Sequence, residues 1–203
     1  NLDSAHIAIG NAFMLKENDR VKAIRAYEKA LKLNLKSLTA HHNIGGCQRL
    51  LGLYDDAIEN FSKALRINPK HVSSHNNLGR TLMDAARPMD AITHFKKAIE
   101  LDPTYFQSFY NLAGAAEDID SSIDYLRELL SMNKDHVDSK ITLAAMEFCK
   151  GKESAFQEIM VSEEFKHHPY SRSFSWIFSL GKKPEVTFDR WRFFDSVIRH
   201  TVK

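Results

Sequence analysis

The sequence predicts an all-α fold, a solenoid built from antiparallel helix pairs. Small, aromatic and proline residues return every 34 residues through much of the chain. Within each unit of that length, two apolar patterns of helical period are separated by a short turn. A string of such units fits within 203 residues, and neighbouring units can bury a continuous core between them.

The period is clearest in the middle of the chain. Units are predicted at about 3–36, 38–71, 72–105 and 106–135, with a degenerate unit at 136–165, and together they make a solenoid over residues 1–165. In the second and third units the matching pairs are Gly45 and Gly79, Ala57 and Ala91, Phe61 and Phe95, Ala64 and Ala98, and Pro69 and Pro103. Because the same residue types recur at the same places, both units are expected to fold alike.

The unit at 72–105 shows how the helices are predicted. Its first helix is expected at about 71–85 and its second at about 88–101, with Pro88 in the first turn. The Asp-Pro pair that follows ends the second helix, because proline disfavours helical geometry in the residue before it. Gly79 and Ala91 are small, so the two helices are expected to approach closely there.

The flanking units depart from this pattern. Gly10 to Ala23 in the first unit is one residue longer than the equivalent spacing later. In the fourth unit Ser122, Leu126 and Leu129 stand where the second and third units have Ala, Phe and Ala, and its turn is predicted to be three residues shorter. In the last unit a helix is expected at 136–149, and the segment after it is a poor second helix.

The order of small, small, aromatic, alanine and proline positions resembles the tetratricopeptide repeat. The resemblance covers residues 3–135 well and extends loosely to 165. It implies a right-handed superhelical solenoid in which the first helices of the pairs line a concave groove.

Asparagines occupy one groove position in three successive units. Asn43, Asn77 and Asn111 lie 34 residues apart, and each precedes a core-facing residue by one. Since adjacent residues of a helix point in different directions, the amides are expected to face the groove. An amide both donates and accepts hydrogen bonds, which suits a peptide backbone. A similar asparagine ladder holds extended peptides by their backbones in the tetratricopeptide domain of O-GlcNAc transferase. The alternative is that these amides only bond the backbone of the neighbouring repeat.

Other side chains are expected to tune selectivity along this groove. The predicted peptide-binding set consists of the three asparagines together with His42, Asn76, Tyr110, Arg49 and Arg80. The groove is mixed and polar. Without lysines at the expected places, it does not match the carboxylate clamp of chaperone-binding relatives.

Composition excludes several other classes of function. The net charge is +2 with the signs mixed, which does not favour nucleic acid binding. No membrane-spanning stretch or signal peptide is found, and the two distant cysteines indicate reduced thiols in a cytoplasmic protein. No phosphate-loop, dinucleotide, hydrolase or zinc-protease motif is present, so no catalytic residue, cofactor or metal site is predicted.

After residue 165 the composition changes, and residues 166–203 are predicted to form an aromatic-rich helical segment. The residues expected to pack or dock there are Phe174, Trp176, Phe178, Phe188, Trp191 and Phe194. They would cap the open end of the solenoid or start a following domain. The stretch "RWRFFDSVI" vaguely resembles the lead-in to O-methyltransferase domains of the macrocin type. The chain is expected to be part of a longer protein.

The predicted function is therefore a protein–protein interaction module that binds an extended peptide or partner segment in its groove. One alternative is a regulatory or substrate-recruiting arm of an enzyme, for example a methyltransferase. Another is a scaffold that self-associates through its C-terminal segment.

Overall fold

A computed structural model describes residues 2–16 and 19–152, together with residues 154, 158 and 162. This part of the chain holds nine α-helices and no strand. They are α1 (Leu2–Lys16), α2 (Arg20–Leu33), α3 (Leu38–Leu50), α4 (Tyr54–Ile67), α5 (Val72–Asp84), α6 (Pro88–Leu101), α7 (Phe106–Ala115), α8 (Ile119–Met132) and α9 (Val137–Cys149). None of these helices is long and apolar enough to cross a membrane. The predicted all-helical repeat is confirmed.

Some predictions lie outside the described residues. They include the aromatic-rich segment at 166–203 with its six named phenylalanine and tryptophan positions, and most of the second half of the unit at 136–165.

The described part of the chain divides into two compact units, one ending at Ala115 and the other beginning at Ala116. In the first unit, α1 packs on α2, α3 on α4 and α5 on α6, and each pair packs on the next. Three residues separate the two helices of each pair. So short a connection makes neighbouring helices antiparallel, as predicted.

Three glycines on the first helices face aromatic rings on the second helices. A Cβ at Gly10 would lie 2.3 Å from the Tyr27 ring, and one at Gly79 would lie 2.6 Å from Phe95. The ring of Phe95 is fully buried, as is that of Phe61, which sits 3.1 Å from the corresponding point at Gly45. The glycine and aromatic positions of the repeat therefore depend on each other sterically.

Asparagine or aspartate ends each second helix with the same turn. Asn34, Asn68, Asp102 and Asn133 each accept a hydrogen bond from the backbone N–H two residues later, at distances of 2.9–3.3 Å. Each also donates its own backbone N–H to the carbonyl four residues back in the helix. Each side-chain oxygen thus accepts from a backbone N–H group that has left the helix, where the chain turns toward the next repeat.

The fourth repeat differs from the expectation of a shorter turn. Three residues separate α7 from α8, the same number that separate α5 from α6. The shortening instead falls in α7, which has 10 residues against 13 in α5. The predicted three-residue shortening is present, but it was wrongly assigned to the turn. Three residues are almost one helical turn, so α7 loses that turn and the connection keeps its length.

In the second unit, α8 packs on α9. Their apolar faces bury Leu126 and Leu129 of α8 and Ile141 and Met146 of α9. At the surface, ion pairs join Arg127 to Glu147 and Lys150 to Asp120. Exposed pairs of this kind add little stability, so the apolar contacts hold these helices together.

Candidate peptide-binding groove

A pocket of about 490 Å³ opens among the first helices of the first three pairs, α1, α3 and α5. Its lining residues are Asn11, Met14, Leu15, Tyr27, His42, Asn43, Gly46, Cys47, Arg49, Leu50, Asn77 and Arg80. Five members of the predicted peptide-binding set are among them. The first helices thus bring side chains from three successive repeats around one concave site.

At one end of the pocket, Asn43 is bonded to the first repeat. Its Nδ2 donates to Asn11 Oδ1 at 3.1 Å, and the Tyr27 hydroxyl donates to the same oxygen at 2.8 Å. Tyr27 is buried to 1% exposure, so its hydroxyl is fixed in position. The Tyr27 hydroxyl therefore fixes the side chain of Asn11, and Asn11 in turn orients the amide of Asn43.

The second ladder amide belongs to a chain of four side chains. Asn77 Nδ2 lies 3.3 Å from His42 Nε2, and His42 Nδ1 lies 2.9 Å from the hydroxyl of Ser74. That hydroxyl lies 2.8 Å from His71 Nδ1. Because an amide N–H only donates, His42 accepts at Nε2 and donates from Nδ1, which leaves Ser74 to donate to His71.

The third ladder amide is held in the same way. Asn111 Nδ2 donates to Asn76 Oδ1 at 2.8 Å, and Ser108 Oγ donates to that oxygen at 3.2 Å. Gln107 Nε2 donates to Asn111 Oδ1 at 3.3 Å. Each ladder asparagine thus bonds a side chain of the preceding repeat, whereas the sequence had suggested backbone as the alternative partner.

Two residues expected to select ligands act instead as partners of ladder amides. His42 and Asn76 occupy equivalent positions, one residue before a ladder asparagine, and each accepts from the ladder amide of the following repeat. Asn76 is 1% exposed, which corrects the expectation that it meets a ligand directly. His42 is partly exposed and lines the pocket, so it both positions Asn77 and borders the ligand space.

The arginines contribute differently to the groove. Arg49 Nη1 pairs with Asp84 Oδ2 at 2.8 Å and ties the end of α3 to the end of α5. Arg80 lines the pocket from α5. Tyr110 is partly exposed on α7 and, like Asn111, does not line this pocket. The predicted set therefore covers the pocket and a stretch of groove beyond it.

Burial keeps His42, Cys47 and Tyr27 uncharged at neutral pH. It lowers the pKa of His42 to about 4, with a smaller contribution from neighbouring His71. Burial also raises the pKa of the Cys47 thiol to about 11 and that of the Tyr27 phenol to about 12. The pocket thus presents neutral donors and acceptors beside its arginines, and Cys47 contacts the Met14 sulfur at 3.4 Å.

His75 and His94 are engaged in local contacts. His75 Nε2 lies 3.0 Å from the Pro69 carbonyl oxygen, and His75 Nδ1 lies 3.2 Å from His94 Nδ1. Among the residues that the structure describes, no group of three histidine, cysteine or acidic side chains is arranged to hold a metal ion.

Sequence reasoning missed Asn11. In the second and third repeats, Gly46 and Arg80 stand three residues after the ladder position, and both line the pocket. The same offset from Ala8, the ladder position of the first repeat, leads to Asn11. Extending that row by one repeat would have found it.

Comparison with known proteins supports the helical repeat directly. Two family models match, both described as Tetratricopeptide repeat, over residues 36–104 and 76–135. A comparison with curated protein sequences gave no match.

Solved structures share the fold. MamA 41-end from Desulfovibrio magneticus RS-1 is 16% identical with a TM-score of 0.71, covering 83% of this chain and 98% of that one. YrrB, described as a tetratricopeptide repeat protein with an unusual peptide-binding site, is 20% identical with a TM-score of 0.60, covering 76% and 81%. A mutant O-GlcNAc transferase of Thermobaculum terrenum is 22% identical with a TM-score of 0.59, covering 65% of this chain and 27% of that one. The chain is a tetratricopeptide repeat protein.

Proposed function

We propose that this chain is a protein–protein interaction module whose groove binds an extended segment of a partner protein. The observation that carries the proposal is the set of three asparagines, 34 residues apart, each held in place by a side chain of the preceding repeat. A fixed amide loses little freedom when a ligand binds, so less of the binding energy is lost to ordering.

The ladder amides have the capacity to bind both the protein and a ligand. An asparagine amide carries two N–H donors and an oxygen with two acceptor sites. The single bond that Asn43 Nδ2 or Asn77 Nδ2 makes to the preceding repeat uses one donor. The remaining groups match a peptide backbone, which offers a donor and an acceptor in turn whatever its side chains.

Peptide selection tests the ladder. Random dodecapeptides displayed on phage would be selected against the whole chain, and enriched peptides would be synthesised and titrated by fluorescence anisotropy. Replacing Asn43, Asn77 or Asn111 with Ala is expected to weaken binding about fivefold, because one hydrogen bond contributes about 1 kcal/mol. Backbone recognition predicts a similar loss for peptides of different sequence.

The control is Thr93→Ala on the exposed face of α6, which should leave affinity unchanged. Thermal melting of each variant separates loss of binding from loss of folding. Unchanged affinity in a folded triple Asn→Ala variant would show that the amides serve packing alone.

A second candidate is a substrate-recruiting arm of an enzyme. The structural similarity to an O-GlcNAc transferase favours this second candidate. The region that matches this chain makes up 27% of that protein, which is an enzyme. In either case we propose that the repeats bind and do not themselves catalyse. The gene sequence after Lys203 distinguishes the two candidates, because a catalytic domain there would favour the enzyme arm and a stop codon or further repeats would favour a scaffold.

Two further parts of the proposal concern the oligomeric state of the protein and its location in the cell. Self-association through the C-terminal segment is tested by light scattering after size exclusion, and a monomer mass at all concentrations would count against it. A cytoplasmic location is supported by the free, buried thiol of Cys47. Fluorescence microscopy of the tagged protein would test it.

A further inference from the structure

Gly46 is a glycine inside a helix with no packing partner that requires it. It lies in the interior of α3 (Leu38–Leu50), where glycine weakens a helix relative to alanine. Gly10, Gly45 and Gly79 each face an aromatic ring at 2.3–3.1 Å from the position of a Cβ. A Cβ at Gly46 would meet nothing within 4 Å, so the fold itself does not explain this glycine.

The space in front of Gly46 belongs to the groove pocket. The equivalent helix positions in the flanking repeats carry the side chains of Asn11 and Arg80, and all three residues line the pocket. The missing side chain at Gly46 therefore opens a recess between two neighbours that do project. Glycine occurs where a ligand approaches a backbone closely. Since packing does not explain Gly46, close approach of a ligand is the explanation that we adopt for it.

Part of the pocket lining is apolar. Leu15 is 88% exposed and Leu50 is 47% exposed, and both line the pocket together with Met14. Apolar side chains this exposed around a concave site favour a ligand that covers them. A bulky aliphatic or aromatic side chain has the size and chemistry to do so.

Polar and basic side chains line the same pocket. They are the amides of Asn43 and Asn77 and the guanidinium groups of Arg49 and Arg80, and the lining includes no carboxylate. Asp84, which pairs with Arg49, is not among the lining residues. An acidic group of the ligand would therefore meet hydrogen-bond donors and no like charge in the lining.

We propose that Gly46 is the floor of a side-chain subsite that receives a bulky apolar residue of a partner peptide with an acidic residue beside it. This inference rests on the proposed peptide-binding function and adds the sequence preference of the ligand. The backbone would bond to the asparagine ladder, and the apolar side chain would fill the recess between the first and third repeats.

A matched pair of variants at Gly46 tests the subsite with the peptides selected on the whole chain. Gly46→Phe places a ring in the recess and is expected to weaken binding by about tenfold or more, as loss of a central anchor does. Gly46→Ala adds one methyl group in open space and is expected to stay within about threefold. Because nothing lies within 4 Å of the new Cβ, Gly46→Ala should melt at or above the temperature of the parent chain. The melting temperature of Gly46→Phe is measured alongside, so that loss of binding is compared only between folded proteins.

The peptides themselves supply the second readout. Enriched sequences should share a bulky apolar residue next to Asp or Glu, and replacing the apolar residue with Ala should remove the difference between Gly46→Phe and the parent. Changing the acidic residue to its amide should weaken binding about threefold at low salt and less at high salt.

Each result separates the subsite from the ladder. Peptides that bind through the asparagines yet tolerate Gly46→Phe, or that share no apolar residue, would overturn the subsite and leave the proposed function standing. Binding that is apolar but indifferent to the acidic residue would overturn the charge preference. Failure to enrich any peptide would count against both proposals.

Discussion

At the scale of single residues, glycines with different surroundings explain most of the repeat pattern. Gly79 and Gly45 leave room for Phe95 and Phe61, whose rings fill the space between paired helices. Gly46 follows Gly45 directly and has no such neighbour. Adjacent positions on one helix thus carry the same residue type for two unrelated physical reasons, one in the core and one in the groove.

Alanine substitutions distinguish these two reasons. Gly79→Ala puts a methyl group 2.6 Å from Phe95 and is expected to destabilise the chain by about 1–3 kcal/mol, the usual cost of overpacking. Gly46→Ala is expected to stabilise it by about 1 kcal/mol, because alanine favours the helix and the site is open. Urea unfolding of both variants measures the difference, and a shared sign would contradict the contrast drawn from the structure.

At the scale of helices and turns, the connections from α3 to α4 and from α5 to α6 each depend on a residue with left-handed backbone geometry. Gly52 between α3 and α4 has φ of 78°, and Ala86 occupies the same place between α5 and α6 with φ of 58°. The backbone N–H groups that follow, of Leu53 and Arg87, return to carbonyls of the preceding helix at 2.9 and 2.8 Å. The turn is therefore fixed by backbone bonds, and the residue at its centre must accept the geometry.

Exchanging the residues at these turns tests that requirement. Ala86→Gly is expected to stabilise the chain by about 1 kcal/mol, because glycine adopts positive φ without the steric cost of a Cβ. The reverse change, Gly52→Ala, should destabilise it by a similar amount. Denaturant melts of both variants would show the opposite signs, and a destabilised Ala86→Gly variant would mean that the flexibility of glycine in the unfolded chain outweighs the strain.

At the scale of the whole molecule, partly buried histidines link stability to pH. His42 lies between α4 and α5, against the Phe61 ring and beside His71, and it accepts from Asn77. Its pKa is lowered to about 4 from the usual 6.5, so the folded chain holds it neutral where the unfolded chain takes up a proton. Its contribution to stability is thus complete above pH 6.5 and is lost as the pH falls toward 4.

This linkage predicts that acid weakens the parent chain more than a variant without the imidazole. Between about pH 7 and pH 5, the parent should lose on the order of 2 kcal/mol more of its free energy of unfolding than His42→Gln. His94, whose pKa burial also lowers, is present in both proteins and so cancels in the comparison. His71 lies beside His42, so the measured difference reports the two imidazoles together. Equal losses in the two proteins would show that His42 titrates as it does in the unfolded chain.

The sequence alone determined the helical class, the 34-residue period and the core positions. These features depend on local or periodic signals that can be read from the order of residues alone. The signals are the glycine and aromatic positions of each repeat, the alanines between them and the Asp-Pro pair that ends a helix. The sequence also placed Asn43, Asn77 and Asn111 correctly on equivalent helix positions. The sequence could not locate the three-residue deletion in the fourth repeat, because the same spacing fits either a shorter turn or a shorter helix.

Only the tertiary structure decided what each groove residue touches. Whether Asn76 faces a ligand or a neighbouring helix depends on how two repeats pack, and no spacing within one repeat carries that information. The same holds for the partnership of Asn11 with Asn43 and for the empty space before Gly46. Helical period fixes which way a side chain leaves its own helix, whereas contact requires the position of the next helix, and packing between repeats sets that position.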